Sequence, residues 1–141
     1  MGAKKKILLI DDEKDFCHFM SKNLEGTGEF FCLYATDPDR GIKLARSEVP
    51  DLILLDIRMP KKGGFKVLEV LKQDTKTMSI PVIMLTAVED EESKLKAAEL
   101  YNEDYVTKPV GWEAIRDRIN KVFEIRGGKV SRLYPLETSS D

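Results

Sequence analysis

The chain has 141 residues, with 23 Lys and Arg against 25 Asp and Glu and a formal net charge of −2. At 42% hydrophobic and 34% charged it reads as one globular domain, not a disordered chain, and the charge balance argues against a dedicated nucleic-acid binder. Its single His and two Cys, Cys17 and Cys32, show no CxxC or HxxxH spacing for zinc, and no apolar run reaches the roughly 20 residues of a membrane helix. Unpaired thiols and the lack of a signal-peptide core point to a reducing, cytoplasmic setting.

Apolar runs alternate with amphipathic stretches along the whole chain. Ile7, Leu8, Leu9 and Ile10 form a first continuous run, as a strand buried on both faces requires. Phe16, Phe19, Met20 and Leu24 follow at helical spacing and are expected in the core. A second strand is expected over 30–35. The next helix carries Ile42, Ala45 and Val49, with Asp37 as N-cap and Pro38 at its first position. Leu52, Ile53, Leu54 and Leu55 make a third strand, and Phe65, Leu68 and Leu71 a third helix. Val82, Ile83, Met84 and Leu85 make a fourth strand, and Leu95, Ala98 and Leu100 a weaker fourth helix. Tyr105 and Val106 mark a short fifth strand. Trp112, Ile115, Ile119, Val122 and Phe123 mark a fifth helix, stopped by Gly127 and Gly128. Five strand–helix units imply a parallel sheet with helices on both faces. Beyond residue 128 periodicity is lost, so a domain over 1–128 and a tail or linker over 129–141 are expected.

Sites in such sheets form beyond the carboxyl ends of the strands. Asp11 and Asp12 follow the first run, Asp56 the third and Thr86 the fourth, while Thr107, Lys108 and Pro109 follow the fifth. Three carboxylates gathered at one edge repel one another and call for a cation. An all-oxygen set of this kind suits Mg²⁺, which shares its shell with phosphate. A carboxylate can also attack phosphorus to give an acyl phosphate, with Lys108 and Thr86 available to the phosphoryl oxygens.

The runs IDDE (10–13), LLDIRMP (54–60), LTA (85–87) and DYVTKP (104–109) resemble, in order and spacing, the receiver domains of bacterial two-component response regulators. The resemblance implies a flavodoxin-like, doubly wound fold with five parallel strands in the order 2-1-3-4-5. It implies Asp56 as phosphoacceptor, and Asp11, Asp12, Asp56 and the backbone carbonyl of Arg58 as Mg²⁺ ligands. Lys108 would pair with the phosphoryl group, Thr86 and Tyr105 would form a switch pair, and the bond before Pro109 would be cis. It further implies a sensor histidine kinase or phosphotransfer protein as donor. The surface of the fourth helix, fifth strand and fifth helix would change on phosphorylation. That surface would control a partner or an output domain and could carry a homodimer, with neither nucleic acid nor membrane contacted directly. The expected product is a switch, not a turnover enzyme. Gly63 and the pair Tyr101 and Asn102 depart from residues common in the family.

Two other functions compete. One is a receiver-like module that binds partners without phosphorylation. The other is a phosphatase with an aspartyl nucleophile, for which the segment 11–15 lacks the Thr of a DxDxT pattern. Singly, Asp11 and Asp12 could be helix caps, Asp56 a loop carboxylate, Lys108 a solvated lysine and Thr86 a helix cap. His18 reads as solvated, and both cysteines as inert. A water that hydrolysed an acyl phosphate would be held by side chains two positions after Asp56 and Thr86. Those are Arg58 and Val88, and neither suits the task, so slow loss of phosphate is expected.

Overall fold

In the computed structural model the described residues are 4–59, 62–87 and 104–126. Each apolar run forms a strand: β1 (Lys5–Ile10), β2 (Phe30–Ala35), β3 (Leu52–Asp56), β4 (Val82–Ala87) and β5 (Asp104–Lys108). They pair in parallel in the order β2-β1-β3-β4-β5, as the resemblance implied. The continuous runs are those of the central strands, and β1 from Ile7, β3 and β4 as far as Thr86 are buried along their length. The edge strand β5 is only half-buried, which is why its apolar signal was short.

Four helices lie among the described residues: α1 (Lys14–Gly26), α2 (Pro38–Glu48), α3 (Gly64–Gln73) and α4 (Trp112–Glu124). The last is the fifth helix of the sequence reading. The expected fourth helix, with Tyr101 and Asn102, lies outside the described residues, as do Gly127, Gly128 and the tail. None of the described helices is long and apolar enough to cross a membrane. The chain divides into two compact units, Met1–Val110 and Gly111–Asp141. In the second, α4 buries Ile115 and Ile119, one turn apart.

Within the first unit, alternation along the strands sorts the core into two layers. Leu8, Ile10, Ile53, Leu55, Val82 and Met84 pack with Ala45 of α2 and Val67, Leu68 and Leu71 of α3. Gly41 lets α2 approach β1, since a Cβ there would lie 2.8 Å from the Ile10 side chain. Ile7, Leu9, Leu52, Leu54, Ile83 and Leu85 face the other way and are fully buried. On that side α1 covers β1 and β2.

Local signals account for the helix ends. Asp37 caps α2, its carboxylate accepting from the Arg40 amide at 3.1 Å, and Pro38 opens the helix. Two expectations fail: Val49, read as part of the second helix, is its left-handed cap and half exposed, and Phe19 is 55% exposed. The buried stripe of α1 is Cys17, Met20, Ser21 and Leu24, at spacings of three and four, and Phe19 stands beside it. His18 is exposed, as expected. Burial pushes the Cys17 and Cys32 thiols up to about 12, so both are protonated and unreactive at neutral pH.

Candidate functional site

Register decides which strand-end residues meet. Ile10 is paired with Leu55, and Asp56 with Leu85. Asp11 continues β1 by one step, its amide donating to the Ala35 carbonyl at 3.1 Å, and so stands level with Asp56 on the same side of the pleat. Ala87 is paired with Lys108, again on that side and two positions further along. The Lys108 side chain reaches back across the strand ends to both carboxylates.

The result is a compact acid cluster. Asp11, Asp12 and Asp56 each bring a carboxylate oxygen within 4.8 Å of the others. Asp11 and Asp56 are buried, while Asp12 is open to solvent. Lys108 Nζ lies 2.9 Å from Asp11 Oδ2 and 3.8 Å from Asp56 Oδ1. Asp12, Glu13, Asp56, Arg58, Ala87 and Lys108 line an open cleft of about 300 Å³. Hard carboxylate oxygens at this spacing, with solvent on one side, fit Mg²⁺, which keeps part of its water shell.

The electrostatics follow from that crowding. Burial and the neighbouring Asp11 carboxylate push Asp56 up to about 7, against the pull of Lys108 and the Arg58 amide. Burial also raises Asp11, although the Glu13 amide and Lys108 stabilise its charge. Burial disfavours the Lys108 ammonium, but its hydrogen bond and charge contact with Asp11 outweigh that and shift it upward. The site thus holds negative charge under strain, and an added cation would relieve it.

The other expected residues divide. Arg58 is exposed and lines the cleft. Thr86 sits on the opposite pleat from Leu85, paired with Thr107, and its buried hydroxyl has no hydrogen-bond partner among the described residues. Tyr105 lies on that same face, one strand over and two positions lower, with 37% of its surface exposed. Val88 lies outside the described residues. The Lys108–Pro109 bond is cis, as the resemblance implied. Asp11 and Asp12 are not the cap of α1: that place belongs to Glu13, whose amide donates to Asp11 Oδ1 at 2.9 Å.

Two neighbours of Lys108 were not singled out from sequence. Glu13 Oε1 lies 3.4 Å from its ammonium, and the Phe16 ring centroid 4.5 Å. The only signal for Glu13 was its place directly after the acid pair. Phe16 carried none, because helical spacing marks it as a core residue.

Comparison with known proteins agrees with this geometry. A family profile described as "Response regulator receiver domain" matches residues 7–120. The chain is 36% identical over 118 residues to the alkaline phosphatase synthesis transcriptional regulatory protein PhoP of Bacillus subtilis, covering 84% of this chain and 48% of that protein. It is 39% identical over 114 residues to the DNA-binding dual master transcriptional regulator RpaA of Synechocystis, covering 81% and 47%. It therefore spans about half the length of these curated relatives. Among solved structures, a response regulator receiver domain protein from Clostridium thermocellum superposes with a TM-score of 0.79 at 27% identity, covering 87% of this chain and 97% of that one. The N-terminal domain of a receiver protein from Methanoculleus marisnigri gives 0.68 at 31% identity, covering 85% and 97%. Parallel order, acid cluster and family match agree, and the chain belongs to the response regulator receiver domain family.

Proposed function

We propose that this chain is a phosphorylation-dependent switch whose phosphoacceptor is Asp56. The observation that supports it best is the convergence of three carboxylates and one ammonium from three strand ends, with Asp56 facing the cleft. An Asp56 oxygen attacks the phosphorus of the donor, the donor's bond to phosphorus breaks, and its electron pair leaves with the donor. The donor is a sensor histidine kinase or phosphotransfer protein. Asp11, Asp12, Asp56 and the Arg58 carbonyl would hold Mg²⁺, which would supply charge neutralisation for the transferred group.

The chain's own residues then read the new charge. Lys108 pairs with a phosphoryl oxygen, and the unpartnered Thr86 hydroxyl donates to another. Movement of Thr86 vacates space on its face of the sheet, where Tyr105 follows. The surface that the resemblance assigns to the fourth helix, fifth strand and fifth helix changes, and with it the contact to a partner or to an output domain. The relatives' names, transcriptional regulators about twice as long as the segment they share with this chain, favour an output domain.

The test is incubation with Mg²⁺ and acetyl phosphate, followed by intact mass. Gain of one phosphoryl group by the wild type, absent in Asp56→Asn, is the expected result. Steady phosphate release without accumulation would indicate a phosphatase, and no change a phosphorylation-independent module.

A further inference from the structure

Lys108 has more neighbours than pairing with a phosphoryl group requires, and two of them come from the start of α1. Glu13 is the N-cap residue, yet its side chain makes no capping hydrogen bond, so the ordinary use of a polar residue at that position is missing. Its carboxylate instead meets an ammonium 95 positions away, at 3.4 Å. Its backbone is pinned beside the acid pair by the bond to Asp11. Phe16 is half-buried and lies against the same ammonium, as an aromatic ring does toward a cation.

We propose that Glu13 and Phe16 form a resting seat for the Lys108 ammonium, and that Glu13 is a positioning residue that competes with the phosphoryl group for it. This rests on the reading of Asp56 as phosphoacceptor. The ammonium has three N–H donors, and Asp11 and Glu13 occupy two of them. Asp56, at 3.8 Å, is an ion pair beyond hydrogen-bond distance. A phosphoryl group on Asp56 would place strong acceptors on that side, and Lys108 must loosen a present contact to serve them. Asp11 is wholly buried and tolerates no loss of its partner. The Glu13 side chain is 65% exposed, and water can replace the lysine there. Glu13 is therefore the contact released, and it stabilises only the unphosphorylated pocket. It raises the threshold at which the switch is set.

The test uses the full chain in saturating Mg²⁺, titrated with beryllium trifluoride, which adds to a carboxylate oxygen with the shape and charge of a phosphoryl group. Occupancy is read from amide chemical shifts. Glu13→Gln should lower the half-saturating concentration about two- to fivefold, the scale of one exposed ion pair. Phe16→Leu should shift it the same way, and Phe16→Tyr, which keeps a ring face, should stay near wild type. In a Lys108→Ala background, Glu13→Gln should change nothing. A simple loss of negative charge near the cleft would act with or without the lysine. No effect of Glu13→Gln, or an equal effect in the Lys108→Ala background, overturns the proposal. If the wild type takes up no beryllium trifluoride, the reading of Asp56 itself fails.

Discussion

Gly64 abuts the backbone of Asp56: a Cβ at position 64 would collide with the Asp56 carbonyl oxygen and lie 2.6 Å from the Ile57 Cα. The start of α3 is thus wedged against the end of β3, and its amide donates to the Ile57 carbonyl at 2.8 Å. Glycine is needed here for room, and the strand end that carries Asp56 is held by this contact.

Gly64→Ala should therefore cost about 2 kcal/mol or more, because backbone must move on both sides. Gly63→Ala should be close to neutral, since its Cβ would meet only the Ile57 carbonyl oxygen at an ordinary 3.7 Å. Urea unfolding of the two variants checks the contrast. Equal midpoints would refute the wedge.

Asp56 makes stability depend on pH. Its native value of about 7 lies above the ordinary 3.8 of an unfolded carboxyl. Between those values the native state holds a proton that the unfolded state lacks, so this group's contribution to stability falls as pH rises from about 4 to 7. Asp56→Asn removes the penalty. It should stabilise the protein above pH 7 by on the order of a few kcal/mol, and by nothing from this cause below about pH 4. Mg²⁺ should narrow the gap by stabilising the ionised wild type. Thermal unfolding across pH tests this, and a pH-independent difference would exclude it.

Asp12 is the exposed member of the acid cluster and does not pair with Lys108 among the described contacts, so its carboxylate is the one most open to an ion. Asp12→Ala should abolish Mg²⁺ binding and phosphorylation together while leaving the fold intact. Isothermal titration and intact mass report the two. Normal phosphorylation of the variant would remove Asp12 from the ligand set.

Val49 ends α2 in the left-handed region, at φ 44°, with its amide still donating to Ala45. Pro50 bars the helix from continuing. A β-branched residue is strained there. Val49→Gly should raise stability by about 0.5–1 kcal/mol, the relief of strain less the added freedom of glycine in the unfolded chain. The side chain is half exposed, so little packing is lost. A lower denaturation midpoint would contradict this.

Arg58 lines the cleft and is long enough to lie over a group on Asp56. With Val88 unable to hydrogen-bond a water, hydrolysis of the acyl phosphate should be slow. Arg58→Asn/Val88→Glu should shed phosphate faster, by roughly tenfold or more if in-line water is restored at the usual scale of positioning effects. Phosphate loss from purified phosphoprotein measures it. An unchanged rate would mean that these two side chains do not set the lifetime.

Much of the molecule is readable from residues alone because its signals are local. A strand buried on both faces must be apolar throughout, so Ile7 to Ile10 and Leu52 to Leu55 announce themselves. Asp37 and Pro38 mark a helix start by chemistry that involves only their own turn. Strand ends in a parallel sheet share one edge, so the sequence alone groups Asp11, Asp12, Asp56 and Lys108. What the tertiary structure alone decided depends on register and packing between distant segments. The pleat puts Lys108 on the side of Asp11 and Asp56 but Thr86 on the other. The buried stripe of α1 runs through Cys17 and Ser21, leaving Phe19 in solvent and Phe16 beside the lysine. Spacing specifies that a helix has an apolar face. Only the partner surface, assembled from strands far away in sequence, decides which residues that face presses inward and which cation meets those left at its edge.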